Sequence, residues 1–349
     1  MLIRSIKLNN YRNYCQYQTD FSNNLNIIIG KNGIGKTNIL ESIIVVSNAK
    51  SYRTNEDKNL IKKDEDYLKI ELETEEDTYK VVINPKSKSL YINDNLVRRT
   101  SDFIGKFNAI LFKPGDLELF TQSPSERRKL IDMEIGKISS NYLRNLIKYN
   151  SLLKDKNRLL KELETDNVLL SVIEESMCPS IKVIIEERER FFKTINRYLS
   201  DIYNQISKEK NNIRIIYKKC CEVDEIVDAM QKAKEKDQYY HYTTFGPHHD
   251  DYYFMMGDYE LNNIASQGQK RMAMIAFKFA LIKYIKDQTG EIPVVLLDDI
   301  LSELDRDNQE RLLRIIPKNI QTIITNTDID NLNINTEYKL IKLKEEQNV

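Results

Sequence analysis

Glycine is scarce in this chain, with ten residues in 349, and histidine is scarcer still, with three. The four cysteines are Cys15, Cys178, Cys220 and Cys221. No C-x-x-C spacing occurs, and the adjacent pair cannot readily bridge to itself. A disulfide framework is therefore excluded, and reduced thiols in a cytosol are expected. The histidines show no ligand spacing with the cysteines, which argues against a zinc site; His248 and His249 simply follow a Gly246-Pro247 turn. Net charge is absent too, because 53 Lys and Arg balance 53 Asp and Glu. The whole molecule has no global attraction to a polyanion, so any nucleic-acid contact needs a local basic patch. Long apolar runs are missing: none approaches the roughly 18 residues of a membrane span. The start, MLIRSIKLNNYRNY, is mixed polar and strand-like rather than a signal peptide. A cytoplasmic protein with no membrane partner is expected.

Against that scarcity, three glycines fall within six positions in "IIIGKNGIGKTNIL", residues 27–40. Gly30, four further residues, Gly35, Lys36 and Thr37 complete G-x-x-x-x-G-K-[ST]. A short apolar strand precedes the loop and a helix follows, which is the context a phosphate-binding loop requires. Glycines let successive N–H groups converge, and the helix N-terminus adds positive charge. Gly30, Lys31, Asn32, Gly33, Ile34, Gly35, Lys36, Thr37 and Asn38 are the predicted nucleotide-binding residues. Lys36 is expected on the β- and γ-phosphates and the Thr37 hydroxyl on Mg²⁺.

Two later segments narrow the class. "IPVVLLDDILSELD" (292–305) is an apolar strand tipped by Asp298 and Asp299. Asp298 is the expected second Mg²⁺ ligand, and Asp299 is placed to orient and polarise a water. Lys36, Asp298 and Asp299 are thus the catalytic candidates. "ASQGQKRMAMIAFKFALIKYIKD" (265–287) reads as a helix from about Gly268, capped by Ser266, with one apolar face. Ser266, Gly268 and Gln269 at its start make a second anion site. One nucleotide does not need two such sites, so this one suits another molecule's nucleotide.

Between these segments, strands are expected at 68–74, 79–84, 89–93 and 109–112. At Ser123 the character changes. Ser123, Pro124 and Glu126 predict a capping box with proline at the first helical position. From there to about Lys236 the chain reads as several long helices, broken near 166–169 and near Pro179. The basic residues at 126–129, Lys154, Lys156 and Arg158 fit a DNA-facing stretch, but a solvated helix face is favoured. Strands return after 240, with a Gly257-Asp258 hairpin turn.

Taken in order, NNYRNY (9–14), GKNGIGKTN (30–38), KSYRTNEDKNLI (50–61), LFKPGDLELFTQSPSERRKLID (111–132), GPHHDD (246–251), SQGQKR (266–271) and LLDDILSELD (296–305) resemble the ABC-type ATPase heads. The resemblance is to the DNA-repair heads of the RecF family rather than to transporter motors. It implies an α/β P-loop ATPase head, a mixed sheet with helices, built from residues 1–122 and 237–349, with an inserted helical lobe at 123–236. It implies ATP with Mg²⁺, an ATP-dependent homodimer, and weak, DNA-stimulated hydrolysis. It also implies duplex DNA and single-strand/double-strand junctions as partners, with RecR, RecO and RecA loading in the same pathway. Arg12 lies where such heads contact nucleotide, and Thr325 or Thr327 would sense the γ-phosphate. Asp299 departs from the glutamate usual after the strand, which implies slow turnover. A small-molecule phosphotransferase and a structural chromosome-maintenance head remain as alternatives.

Overall fold

A computed structural model describes residues 1–162, 166–207, 209–329 and 337–344; of Glu303 only the backbone is described. In chain order its elements are β1 (Ile3–Tyr11), β2 (Tyr14–Asp20), β3 (Leu25–Ile29), α1 (Lys36–Asn48), β4 (Leu68–Thr74), β5 (Thr78–Asn84), β6 (Ser87–Ile92) and β7 (Asn95–Val97). Then come α2 (Thr100–Phe103), β8 (Ala109–Phe112), α3 (Pro124–Ile138), α4 (Ser140–Leu159), α5 (Asn167–Ile206), β9 (Ile213–Lys218), α6 (Ile226–Tyr240), β10 (Asp251–Met256) and β11 (Tyr259–Glu260). The chain closes with α7 (Leu261–Ile264), α8 (Gln267–Thr289), β12 (Val294–Asp298), α9 (Arg306–Ile315), β13 (Thr322–Asn326) and β14 (Tyr338–Lys342).

Two compact units result. The first comprises Met1–Leu117, Ile202–Glu209 and Met274–Val349. It holds an antiparallel sheet ordered β2-β1-β4-β5-β6-β7 and a parallel sheet ordered β14-β3-β13-β12-β8. The parallel strands are near-continuous apolar runs, as strands covered on both faces must be. Helix α1 packs against strands of both sheets, and every residue from Ile39 to Asn48 is buried. A helix apolar on most sides belongs inside a core.

The second unit comprises Glu118–Asp201 and Lys210–Ala273. It contains α3, α4, most of α5, α6 and the sheet β11-β10-β9. The sequence places a lobe boundary at 236, but 237–273 is contiguous with this unit because β10 pairs along its length with β9. Strand β9 lies inside the stretch read as helical. The expected break at Pro179 is also absent: α5 runs through it for 40 residues. Proline removes one hydrogen bond, but Met177, Ile181, Ile184 and Ile185 around it are all buried, and that burial outweighs the lost bond. At α3 only half of the capping box forms. Ser123 Oγ accepts from Glu126 N at 3.4 Å, while the Glu126 carboxylate takes Lys129 instead. Helix α8 is buried at every position from Met272 to Phe277 rather than along one face.

The basic stretch is neither solvated nor free for DNA at its centre. Arg127 pairs with Asp251, Arg128 donates to the Asp250 carbonyl, and Lys156, 2% exposed, binds Asp237 at 2.8 Å. Their partners lie about 80 to 125 positions away in sequence, so local reading could not find them.

Candidate nucleotide site

In open α/β sheets ligands gather at the carboxyl ends of strands. Here β13 lies between β3 and β12, and the register sets Thr325 beside Ile28 on one side and Asp298 on the other. The phosphate loop leaves β3 at Gly30 and returns through Gly33 and Gly35, both at positive φ, into α1. This brings Thr37 back over the neighbouring strand ends. Thr37 Oγ1 donates to Asp298 Oδ1 at 3.0 Å, across 261 residues of sequence. Thr325 Oγ1 donates to the same oxygen at 2.9 Å and accepts from the Asp299 amide at 3.0 Å. Tyr52 OH approaches Asp298 Oδ2 at 3.5 Å. A hydroxyl and a carboxylate meeting this way are the oxygen donors that Mg²⁺ prefers.

Lys36 is 4% exposed and folds over the loop, donating to the carbonyls of Gly30 at 2.7 Å and Lys31 at 3.2 Å. Asp299 has left-handed backbone, φ 50°. Among the described residues its Oδ1 is buried without a hydrogen-bond partner. Burial raises its pKa above the ordinary carboxylate value; Lys36 lowers it and Asp298 raises it further. A half-buried acid with an unsatisfied oxygen aimed at no protein donor fits a water-polarising role.

Asn32 and Gly33 are in the loop's turn, and Gly33 has open space around it. Ile34 is buried, and its carbonyl accepts from Asn13 Nδ2 at 3.0 Å. Asn38 donates to Asn13 at 2.7 Å. Arg12 does not reach the loop directly: Nε and Nη2 grip Glu41 at 3.0 and 2.6 Å, and Nη1 donates to Asn59 O at 2.8 Å. Thr325 Oγ1 is engaged by Asp298, the Asp299 amide and the Leu297 carbonyl, whereas Thr327 lies just past β13 with its amide on the Asn326 side chain. Glu41 was not marked from sequence, and Ser51, Tyr52 and Arg53 entered only within the segment KSYRTNEDKNLI (50–61), without a role. An acid in the middle of the apolar run Ile39–Val46 was the signal for Glu41.

Gly35 cannot carry a side chain. Its φ is +117°, and a Cβ would sit 2.5 Å from the Tyr14 hydroxyl. We expect Gly35→Ala to abolish nucleotide binding in a calorimetric titration. Adding Tyr14→Phe should not rescue it, because the ring carbon Cζ at 2.8 Å and Asn13 Nδ2 at 2.9 Å would still crowd the Cβ and the backbone strain would remain.

Ser266 and Gln269 form a helix cap around Gly268. Gln269 N donates to Ser266 Oγ at 3.2 Å, and Ser266 N donates to Gln269 Oε1 at 2.9 Å. This is a complete capping box, which puts the helix start at Gln267. Ser266 and Gly268 are exposed. His248, by contrast, contacts Tyr149 and the Thr243 carbonyl, and among the described residues no cluster of three or more His, Cys, Asp or Glu is shaped for a metal.

The family model for the RecF/RecN/SMC N-terminal domain matches residues 2–349. The chain belongs to that family. It is 36% identical to the DNA replication and repair protein RecF of Bacillus velezensis, over 96% of each chain. It is 37% identical to the RecF of an Exiguobacterium species, over 95% of this chain and 94% of that one. The structure of the recombination mediator protein RecF with ATP superimposes with a TM-score of 0.89 at 28% identity, covering 98% of this chain and 97% of that one. The Smc head of Pyrococcus furiosus shares the fold, with a TM-score of 0.56 at 19% identity, over 100% and 94%. The fold is the ABC-type ATPase head expected from the sequence. Among the described residues no helix is long and apolar enough to cross a membrane.

Proposed function

We propose that this member of the RecF/RecN/SMC family is an ATP-dependent DNA-binding protein of replication and recombinational repair. ATP with Mg²⁺ binds at residues 30–38 and drives two chains together on duplex DNA near single-strand gaps. Hydrolysis releases them, and RecR and RecO assist the same step toward RecA loading. Thr37 and Asp298 would hold Mg²⁺, which would neutralise phosphate charge when bound. Lys36, released from its loop carbonyls, binds phosphate oxygens. Thr325 holds Asp298 and the Asp299 backbone in register, and Asp299 accepts the proton of the attacking water. Arg12 serves this site through Glu41.

The observation that carries dimerisation is Gly268. A Cβ there would meet only Ser266 Oγ, at 3.9 Å, and its φ is not left-handed. Among the described residues nothing requires glycine in this first helical turn, where alanine would be favoured by about 1 kcal/mol. Close approach of a second chain would give glycine a reason there. Ser266 and Gln269, which cap the start of α8, would turn to the γ-phosphate held by the second chain.

Sedimentation of Asp299→Asn with ATP and Mg²⁺ tests this. ATP should convert monomer to dimer, and gapped duplex should strengthen the dimer. Gly268→Ala in that background should fold at least as stably yet remain monomeric. A dimer insensitive to Gly268→Ala, or a monomer under all conditions, would remove the reading. DNA affinity should fall steeply with salt, since contacts to phosphate release counterions.

A further inference from the structure

We propose that Glu41, on the buried face of α1, is a positioning residue that pre-orients the phosphate cradle; this rests on residues 30–38 being the nucleotide site. Glu41 is wholly buried and accepts four hydrogen bonds. Two come from Arg12, one from Ser51 Oγ at 2.6 Å, and one from Arg53 Nη1 at 3.3 Å. The same Arg53 nitrogen donates to Asn38 Oδ1 at 2.8 Å. Asn38 donates to Asn13, and Asn13 donates to the Ile34 carbonyl. A relay of side chains thus runs from a buried carboxylate to one peptide of the loop.

That peptide is the one whose N–H belongs to Gly35. In a trans peptide C=O and N–H point in opposite directions. Holding Ile34 O toward Asn13 therefore turns Gly35 N–H away from it, into the cradle where phosphate oxygens bind. Gly35 has no side chain to fix its own backbone, so orientation must come from its neighbours. Glu41 also gathers two guanidinium groups around one carboxylate, which leaves one positive charge uncompensated beside the loop.

The sign of one substitution separates positioning from plain electrostatics. Glu41→Gln removes a negative charge near the bound phosphates, so by charge alone it should tighten nucleotide binding. If Glu41 positions the cradle, the same change should weaken it. Titration calorimetry with ADP, which needs no hydrolysis, reads the difference. We expect Glu41→Gln to weaken ADP about tenfold, the scale of one charged hydrogen bond. In an Asn13→Ala background the relay is already broken, and Glu41→Gln should then have no effect or should tighten binding.

Equal weakening in both backgrounds, or no weakening in the native one, would overturn the proposal. Should Glu41→Gln fail to fold, Arg53→Lys keeps the charge but loses the planar fork. It should weaken ADP several-fold, and unchanged affinity there would equally overturn the proposal. Failure of the native chain to bind ADP or ATP would remove the nucleotide site itself, a separate outcome.

Discussion

Arg188→Leu is expected to cost the second unit about 3–5 kcal/mol at neutral pH, the usual penalty for removing one partner of a buried ion pair. Arg188 is 3% exposed on α5 and is held from every side. Nη1 donates to Asp250 at 2.8 Å and to the Pro247 carbonyl at 2.9 Å; Nη2 donates to Asp132 at 2.8 Å; Nε reaches Tyr142 OH at 3.1 Å. Asp250, 1% exposed, also accepts from the Tyr217 hydroxyl and from Cys220 N. These bonds tie α3, α4, α5, β9 and the Gly246–Asp251 turn into one polar core. Leucine would leave Asp250 charged, buried and without its cation.

The pH dependence follows. An unpaired buried carboxylate has its folded-state pKa raised, so the fold gains as pH falls and loses as pH rises through that value. The defect of Arg188→Leu should be largest near neutrality and shrink toward acid. Asp250→Asn added to Arg188→Leu should recover part of the loss at neutral pH and reduce its pH dependence, Asp132 having lost the same cation. Urea unfolding followed by circular dichroism at pH 5 and pH 7.5 checks both. A pH-independent defect would mean that lost packing, not the stranded charge, is the cause. His248 in the same turn is pushed down to about 4 by burial and by His249. A depressed folded-state pKa of a base costs the fold stability as pH falls, so native and variant chains are compared at each pH.

The contrast between what local sequence revealed and what it hid has a physical basis. The phosphate loop was legible because its chemistry is contiguous: strand, glycines, lysine and hydroxyl follow one another within 14 residues. Asp298 was legible because a strand buried on both faces is a continuous apolar run, and acids at its end need a reason. Ser266 was legible as a helix cap because capping is also local, but the box it closes with Gln269 was not read. Arg127, Lys156 and Arg188 were misjudged or missed because a buried cation looks like a solvated one until its distant acid is known. Pro179 misled because helix propensity is weak against the burial of a long apolar face. Glu41 escaped because its meaning lies in Arg12, Ser51 and Arg53, which precede and follow the helix.

Asp299→Asn should reduce ATP hydrolysis at least about 100-fold, the lower range for removing a general base, while leaving nucleotide affinity nearly unchanged. The substitution keeps the shape of the side chain and the bond from its amide to Thr325. It removes the ability to accept a proton together with one negative charge. Because burial already raises the Asp299 pKa, native hydrolysis should have an acid limb above the ordinary carboxylate range. The limb should be absent from the residual activity of Asp299→Asn. The same raised pKa predicts the sign of a stability change. A carboxyl with a raised folded-state pKa stabilises the fold when protonated, and that contribution is lost as pH rises through the raised value. At neutral pH the charged Asp299 is therefore a burden on the fold, and asparagine should raise the melting temperature slightly. Slower hydrolysis with a higher melting point is the pattern of a residue kept for chemistry at the expense of stability. Slower hydrolysis with a lower melting point would instead make Asp299 a structural support for β12, and the base would have to be sought elsewhere among the strand ends.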